Sequence, residues 1–476
     1  MTFMSFKNAR IVRSGWLDEG GRRLDCNPYM SGALEARDTL QKLKARKDAL
    51  CTLTSGYSGG IYNGPVFARA WVDDPRFGVP FLSNSEMLSA DLTTLPLLQR
   101  RYAESKKLAH LKLMRGTTLI TCSGTIGRMT LVRPDMEGMW SSQHIMKVVP
   151  DPERVPPGYL YAFLSSRYGV PLVVSGTYGA IIQHIEPKHI EGLPVPRLSP
   201  SLEAEVHALI VEAADRRAAA AADLKRAQSL LLDAIGQPSG PPGNNSVQAR
   251  QTRIVALSDI QRSMRMEGNF YNPTATHVEK WARSSPNCIE LGVVADVYDV
   301  PPFKHIYVDE GHGIPFFTSG ELFDIDRVAN KFLAKGRTVN LHKYVLQRDW
   351  VLLARSGQLG GIIGRPQYAD SALDGAATSD HVIRLVPKGI PGGYLFAYLY
   401  SSSIGYPLLT RCATGHSIPA LWPSQLNSLP VVLAAPEVMK TISRVVVDAF
   451  ENRVQATALE HKARQVLEQA IEKMGG

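Results

Sequence analysis

The chain has 476 residues, 44% hydrophobic and 20% charged, with a formal net charge of +9. That apolar content excludes a largely disordered chain, and no apolar run approaches the ~20 residues of a spanning helix, which excludes a helical membrane protein. Five scattered cysteines with no paired spacing argue against a disulfide framework or a zinc site. The opening stretch MTFMSFKNARIVRSGW also lacks the apolar core of a secretory signal, so a reducing cytoplasm is the expected compartment.

In chain order, residues 1–199 read as a mixed module carrying a net +8. Its β-branched runs at 117–123 and 145–150 predict strands, and the apolar run at 158–168 predicts a short helix. Residues 200–236 predict one long helix, because 202–235 hold no Pro or Gly, are rich in Ala, Leu, Glu and Arg, and end at Gly236. The tract QPSGPPGNNS makes 237–249 a linker. Residues 250–433 form a second mixed module with strands at 350–356 and 381–387 and a short helix at 393–403. Residues 434–476 predict a second long helix, stopped by Gly475.

The two halves repeat each other at a spacing of about 235 residues. Gly78-Val79-Pro80-Phe81 recurs as Gly313-Ile314-Pro315-Phe316, and Ser123-Gly124-Thr125-Ile126-Gly127 as Ser356-Gly357-Gln358-Leu359-Gly360. His144-Ile145 answers to His381-Val382, Gly158-Tyr159-Leu160 to Gly393-Tyr394-Leu395, and Leu193-Pro194-Val195 to Leu429-Pro430-Val431. At the N-terminal edges, RLDCNPY from Arg23 answers to RMEGNFY from Arg265. In the long helices Ala213, Arg217, Ala220, Ala227, Leu231, Ala234 and Ile235 align with Ala449, Arg453, Ala456, Ala463, Leu467, Ala470 and Ile471. Steps of three and four put most of these on one stripe, the pattern of coiled-coil packing, although each helix could instead pack only on its own module. The expected fold class is α+β: two duplicated domains of mixed α/β structure, each followed by a long helix.

Several tempting chemistries fail on inspection. There is no G-x-x-x-x-G-K-[ST] loop for ATP. Cys26-Asn27-Pro28-Tyr29 has one Pro where the adenine-methyltransferase site has two, and no Gly-rich strand–turn–helix precedes it. The close glycines of 356–364 lack G-x-G-x-x-G and read as a turn. Ser379-Asp380-His381 cannot act as a triad, because a strand sends neighbours to opposite faces. His312, His342 and His416 show no metal-ligand spacing. No catalytic or metal-binding residue is therefore assigned.

The two-copy layout resembles the specificity subunit of a type I restriction–modification system, along essentially the whole chain. The resemblance rests on the order of Ser123–Gly127, Ser142-Gln143-His144, Pro157-Gly158-Tyr159-Leu160-Tyr161-Ala162-Phe163-Leu164, the turn Gly176-Thr177-Tyr178-Gly179 and the exit Leu193-Pro194-Val195-Pro196 before a long helix. It implies two target-recognition domains, each reading one half of a split site on double-stranded DNA, and two helices paired as an antiparallel coiled coil. A helix of this length spans ~50 Å, enough to hold two sites one DNA turn apart, ~34 Å. The resemblance further implies docking of two methyltransferase subunits, which would carry S-adenosylmethionine, and of restriction/translocase subunits, as part of phage defence. No cofactor is expected in this chain, and no membrane partner. The chain departs from the family after the Pro exit, where RLSPSLEAEV and VVLAAPEVMK replace the usual Pro-Leu-x-Glu-Gln, and in the second copy of Ser-Gly-Thr-Ile-Gly. A DNA-reading subunit of a divergent defence system, or a protein-only scaffold, remains the alternative.

Candidate DNA-binding residues are polar and loop-borne, because base edges and phosphates are met by such side chains. In the first module these are Gln99, Arg100, Arg101, Lys106 and Lys107; their counterparts in the second are Lys331, Lys335, Arg337, His342 and Lys343. Both copies keep cations there while the letters differ, although a solvated helix face is the ordinary alternative for any one of them. Tyr178 and Gln183, with His416 opposite them in the second copy, mark a Gly-rich turn whose amides could approach phosphate. The tract 55–65, with Tyr57, Tyr62 and Asn63, is a weaker candidate for a loop finger.

Overall fold

The computed structural model describes residues 14–15, 29, 31–175, 184–238, 254–415 and 417–475. The first copy runs α1 (Ala33–Lys42), β1 (Lys47–Ala49), β2 (Ile61–Tyr62), β3 (Trp71–Val72), β4 (Gly78–Leu82), β5 (Leu97–Gln99), the one-turn α2 (Arg100–Ala103), β6 (Thr118–Thr121), β7 (Met129–Leu131), β8 (Trp140–Ser141), β9 (Ile145–Val148), α3 (Pro157–Leu164), α4 (Gly169–Ser175), β10 (Pro194–Pro196) and the long α5 (Pro200–Ile235). The second runs α6 (Leu257–Ser263), α7 (Pro273–Ser284), β11 (Cys288–Glu290), α8 (Leu291–Val294), β12 (Ala295–Tyr298), β13 (Tyr307–Val308), β14 (Gly313–Phe317), β15 (Phe332–Ala334), β16 (Val351–Ala354), β17 (Pro366–Tyr368), β18 (Ala377–Thr378), β19 (Val382–Pro387), α9 (Gly392–Tyr400), α10 (Gly405–Arg411), α11 (Pro423–Leu426), β20 (Pro430–Val432) and the long α12 (Pro436–Gly475).

The duplication holds strand for strand. Each copy has a four-stranded sheet, β2-β9-β6-β7 or β12-β19-β16-β17, and a second, β3-β5-β4-β8 or β13-β15-β14-β18. In both second sheets the last pair is parallel and the others antiparallel. A two-stranded ribbon, β1-β10 or β11-β20, closes each module beside its long helix. Packing against both faces explains why the central strands β6, β9 and β16 are buried at every position. On β16, Val351 and Leu353 enter the helix-side core while Leu352 enters the core on the other face. The helix expected at 158–168 is α3, which ends at Leu164, and a further helix, α4, follows from Gly169. The break lies where Gly169 runs so close to the end of α3 that a Cβ would sit 2.1 Å from the Phe163 carbonyl oxygen.

The described structure divides into two compact units, Met1–Ala218 with Ala456–Gly476, and Ala219–Gln455, so each long helix gives its halves to different units. In the first unit Val206, Ile210 and Ala214 of α5 share a core with Ala463, Leu467 and Ile471 of α12. In the second, Ala220, Leu224, Ala227 and Leu231 share a core with Ile442, Val446 and Ala449. Early residues of one helix thus meet late residues of the other, and the pairing is antiparallel. Ala213, Ala220, Ala227, Ala449, Ala456 and Ala463 are all buried, as the stripe predicts, whereas Ala234 is exposed.

Repeated contacts tie each module to its helix. Arg115 pairs with Asp215 at 2.7 Å and Arg348 with Glu451 at 2.8 Å. Tyr159 donates to the Pro196 carbonyl and Tyr394 to that of Val432 at 2.7 Å, fastening α3 and α9 to the exit strands.

Candidate nucleic-acid interface

The cationic stretch of the first module is built on the end of β5. Gln99, Arg100, Arg101, Lys106 and Lys107 are all exposed. Their backbone is fixed by Trp140, whose indole N–H donates to the carbonyls of Ala103 at 3.0 Å and Leu108 at 3.1 Å. Arg100 is partly spent on the protein: its Nη2 donates to the Gly78 carbonyl at 3.0 Å and its Nη1 lies 3.6 Å from Glu104. In the second module Lys331 is half-buried against Glu321 at 3.3 Å. Lys335, Arg337, His342 and Lys343 are exposed, and none of these four forms an ion pair among the described residues. Tyr178, Gln183 and His416 lie outside the described residues. Tyr62 is no loop finger: it is buried, and its hydroxyl donates to the His110 carbonyl at 2.9 Å, while Tyr57 stacks on the His110 ring at 4.1 Å.

At the other end of β4 lies a polar cavity of about 460 Å³. Its walls come from the end of β4 (Ser83, Asn84, Ser85), the β6–β7 turn (Thr121, Thr125, Arg128), the end of β8 (Ser142, His144), Arg69 and Leu88. Because β5 runs antiparallel to β4 with Gly78 opposite Gln99, the cationic stretch and the cavity stand about 13 Å apart along the strand. Neither Arg69 nor the cavity was readable as a site from a contiguous motif, because its walls come from four separate stretches between residues 69 and 144. Arg69 was findable only by aligning it with the second copy, where His305 occupies its place: the Arg69 guanidinium lies 5.4 Å from the Phe81 ring centroid and the His305 ring 4.9 Å from that of Phe316.

The β6–β7 turn revises the repeat. Thr118 pairs with Leu131 and Val351 with Tyr368, so the connection is four residues longer in the second copy. The second Ser-Gly-Thr-Ile-Gly is therefore interrupted, not degraded, and Ile126-Gly127-Arg128 matches Ile363-Gly364-Arg365. Gly127 and Gly364 share a positive φ, 81° and 76°. A Cβ on Gly127 would meet Val174 at 2.4 Å and one on Gly364 would meet Thr410 at 3.0 Å, so both turns need glycine to pass α4 or α10.

His144 is held on both ring nitrogens, by Ser123 Oγ at 2.8 Å and Gln143 Nε2 at 3.1 Å. Burial, then the charges of Arg69 and His184, push its pKa down, which keeps the ring neutral. Beneath this turn lies a wholly buried cation. Lys147 Nζ donates to the carbonyls of Ser142 at 3.0 Å and Ile145 at 2.8 Å. In the second copy Arg384 donates to the equivalent carbonyls of Ser379, at 3.3 Å, and Val382. Burial pushes Lys147 down to about 7 and Arg384 down to about 10. Since Lys147 is lower in the folded chain than unfolded, the folded state binds fewer protons between pH 7 and the ordinary lysine range. Stability should therefore rise with pH above 7, by at most ~1.4 kcal/mol per unit. Lys147→Met should flatten that slope; urea unfolding at pH 7, 8 and 9 checks it, and an unchanged slope would remove Lys147 as its source.

No family model matches the chain, and no curated protein does. Among solved structures, the S subunit of a type I restriction–modification system from M. genitalium is 12% identical, covering 91% of this chain and 96% of its own, at a TM-score of 0.37. The HsdS subunit from Thermoanaerobacter tengcongensis is 17% identical, covering 90% and 96%, at 0.26. A third, from a structure of complex assembly and conformational transition in the type I R-M system, is 16% identical, covering 90% and 97%, at 0.28. The chains from M. genitalium and from the complex-assembly structure, each similar to this one along nearly its whole length, come from type I restriction–modification systems.

Proposed function

We propose that the chain is the DNA-recognition subunit of a type I restriction–modification complex, with domains at 1–199 and 250–433 each reading one half of a bipartite target. The observation that carries this reading is the repetition of one frame with different exposed letters. Gln99, Arg101, Lys106 and Lys107 occupy the surface that Lys335, Arg337, His342 and Lys343 occupy in the second copy. At the ends of β8 and β18, Gln143 stands where Asp380 does. A duplicated enzyme would keep the same reactive groups in both copies, whereas two readers of different half-sites keep the scaffold and change the donors and acceptors. In this reading the chain is non-catalytic and cytoplasmic, and S-adenosylmethionine belongs to two methyltransferase partners docked along the helices 200–236 and 434–476. Restriction/translocase subunits would complete the assembly.

The test is a map of modified adenines across the host genome with and without this gene. Loss of methylation at one two-part motif with a fixed unread gap supports the reading; an unchanged map moves it to a reader serving another effector. A scaffold that binds only proteins would show no salt-dependent, sequence-selective DNA binding. Arg100→Ala with Arg101→Ala should weaken recognition of one half-site by about tenfold and leave the other readable. Selection from a randomised two-part DNA library checks this, and equal loss at both halves would sink the modular assignment.

A further inference from the structure

We propose that Arg69 and His305 are equivalent base-reading residues of the two modules, and that Arg69 recognises the N7/O6 edge of a guanine in the first module's half-site. The assignment rests on the DNA-reading function proposed above. At this point the two copies share their backbone and their rings and differ in one side chain.

Strand register fixes the equivalence. Trp71 pairs with Leu98 and Val72 with Leu97, as Tyr307 pairs with Leu333 and Val308 with Phe332. A Cβ on Gly78 would stand 2.9 Å from Val72 Cγ2, and one on Gly313 would stand 2.8 Å from Val308 Cγ2, so the same close approach recurs. The rings recur as well. Phe67 meets Phe81 at 6.0 Å and 84°, and Phe303 meets Phe316 at 6.4 Å and 79°. Trp71 meets Phe81 at 5.5 Å, and Tyr307 meets Phe316 at 5.9 Å. Against this frame stands Arg69 in one copy and His305 in the other.

Arg69 is exposed and enters no ion pair or hydrogen bond among the described residues, whereas the nearby Arg76 is spent on Asp74 at 2.6 Å. Its guanidinium lies 5.4 Å from the Phe81 centroid and 6.0 Å from that of Trp71. Attraction to aromatic rings uses the charge and leaves the N–H donors unspent. It also restricts a long side chain in advance, which lowers the ordering cost of a contact. The result is a planar fork, held in place and unpaired, and such a fork bonds guanine N7 and O6 together. His305 lies 4.9 Å from the Phe316 centroid and shares a hydrogen bond with the Tyr307 hydroxyl through Nδ1 at 3.2 Å. A ring with one nitrogen left cannot make the paired contact, so the two modules read different edges.

The placement suits a base contact. The Ala70 carbonyl accepts from the Gln99 N–H at 2.8 Å, and that of Ile306 from the Ala334 N–H at 3.0 Å, so Arg69 and His305 both stand beside the exposed cationic stretches. Phosphate contacts position a reader and base contacts specify its sequence. Cations persist in both copies along those stretches, whereas at 69 and 305 the chemistry changes.

Selection by the full chain from a randomised two-part DNA library tests the assignment. Arg69→Gln should lower discrimination for guanine at one position of one half-site by about 5- to 150-fold. The other half-site should be unchanged and the thermal midpoint near that of the wild type. His305→Arg should bring a guanine preference to the matching position of the other half, which keeps the test decisive should Arg69→Gln fail to fold; no new guanine would then overturn the assignment. An unchanged base preference in folded Arg69→Gln overturns it too. So does affinity lost evenly over all sequences with a salt slope lower by about 1, the mark of a phosphate contact. A wild type whose two-part motif has no G·C pair in either half refutes Arg69 as a guanine reader and leaves the DNA-reading function standing. A wild type that selects no motif refutes both.

Discussion

Glu460→Ala is expected to destabilise the first unit by about 3–5 kcal/mol, out of proportion to the loss of one surface-type ion pair. Arg217 lies 3.1 Å from Glu460, with side-chain exposures of 4% and 11%, and Glu460 lies 3.9 Å from Arg464 as well, beside the alanine and aliphatic side chains of the seam. The same guanidinium donates to Thr457 Oγ1 at 3.4 Å. Removing the carboxylate takes the acid away from a buried guanidinium, a cost that a surface pair does not carry. Replacing both residues by leucine removes the charge together with its partner and should return stability to within about 1 kcal/mol of the wild type. What the double variant should lose is register. The seam repeats small and aliphatic residues at heptad spacing, so a slip of one heptad, ~10 Å along the helix, meets similar surfaces. One polar pair in such a seam penalises the slip. Urea unfolding followed on the transition of the first unit measures the cost, and selection from DNA libraries with varied gap lengths measures the register. A double variant as unstable as Glu460→Ala, or one that keeps a single gap length, would refute this assignment.

What the sequence revealed was whatever the chain repeats in contiguous strings. Gly158-Tyr159-Leu160 and Gly393-Tyr394-Leu395 announce α3 and α9 because a single turn of helix contains the whole pattern. The long helices announced themselves through absence of Pro and Gly and through the alanine stripe, which is buried except at Ala234. The second sheet of each module did not, since its edge strands β3 and β8 are two residues long, too short for any alternation to register. The four-residue lengthening of the β16–β17 turn hid the match of Arg128 to Arg365, because a string comparison reads an insertion as decay. Lys147 and Arg384 were invisible for another reason: a cation within a strand ordinarily marks a solvent-facing position, and only the carbonyls of Ser142 and Ser379 around them show the opposite. The cavity needed all of these at once, since Arg69, Asn84, Arg128 and His144 converge only after both sheets are assembled.

Gly393→Val should cost the second unit more than about 3 kcal/mol, and Gly158→Val should do comparable damage in the first. A Cβ on Gly393 would stand 2.6 Å from Ser443 Oγ and 2.8 Å from the Ser443 Cα and carbonyl oxygen of α12. On Gly158 it would stand 2.8 Å from His207 Nδ1 and 2.9 Å from the His207 carbonyl oxygen of α5. These are approaches to helix backbone, which cannot rotate aside, so α9 or α3 must move off its long helix. In the first copy that movement also breaks the bond from the Gly158 N–H to His207 Nδ1 at 3.0 Å. Gly124→Ala is the control, because Gly124 has φ 75° but nothing within 4 Å of its Cβ position; it should cost only the ~1–2 kcal/mol of a left-handed backbone. Because each glycine seats one module on its helix, on the proposed DNA-reading function each valine variant should erase one half of the target and spare the other. Thermal unfolding gives the stability order, and the recovered motif from library selection gives the half-site lost. If Gly393→Val and Gly158→Val erased the same half, the modules would not be independent readers. A cost no greater than that of Gly124→Ala would show instead that the helices yield to a side chain, and that the close approach is not what holds each module in place.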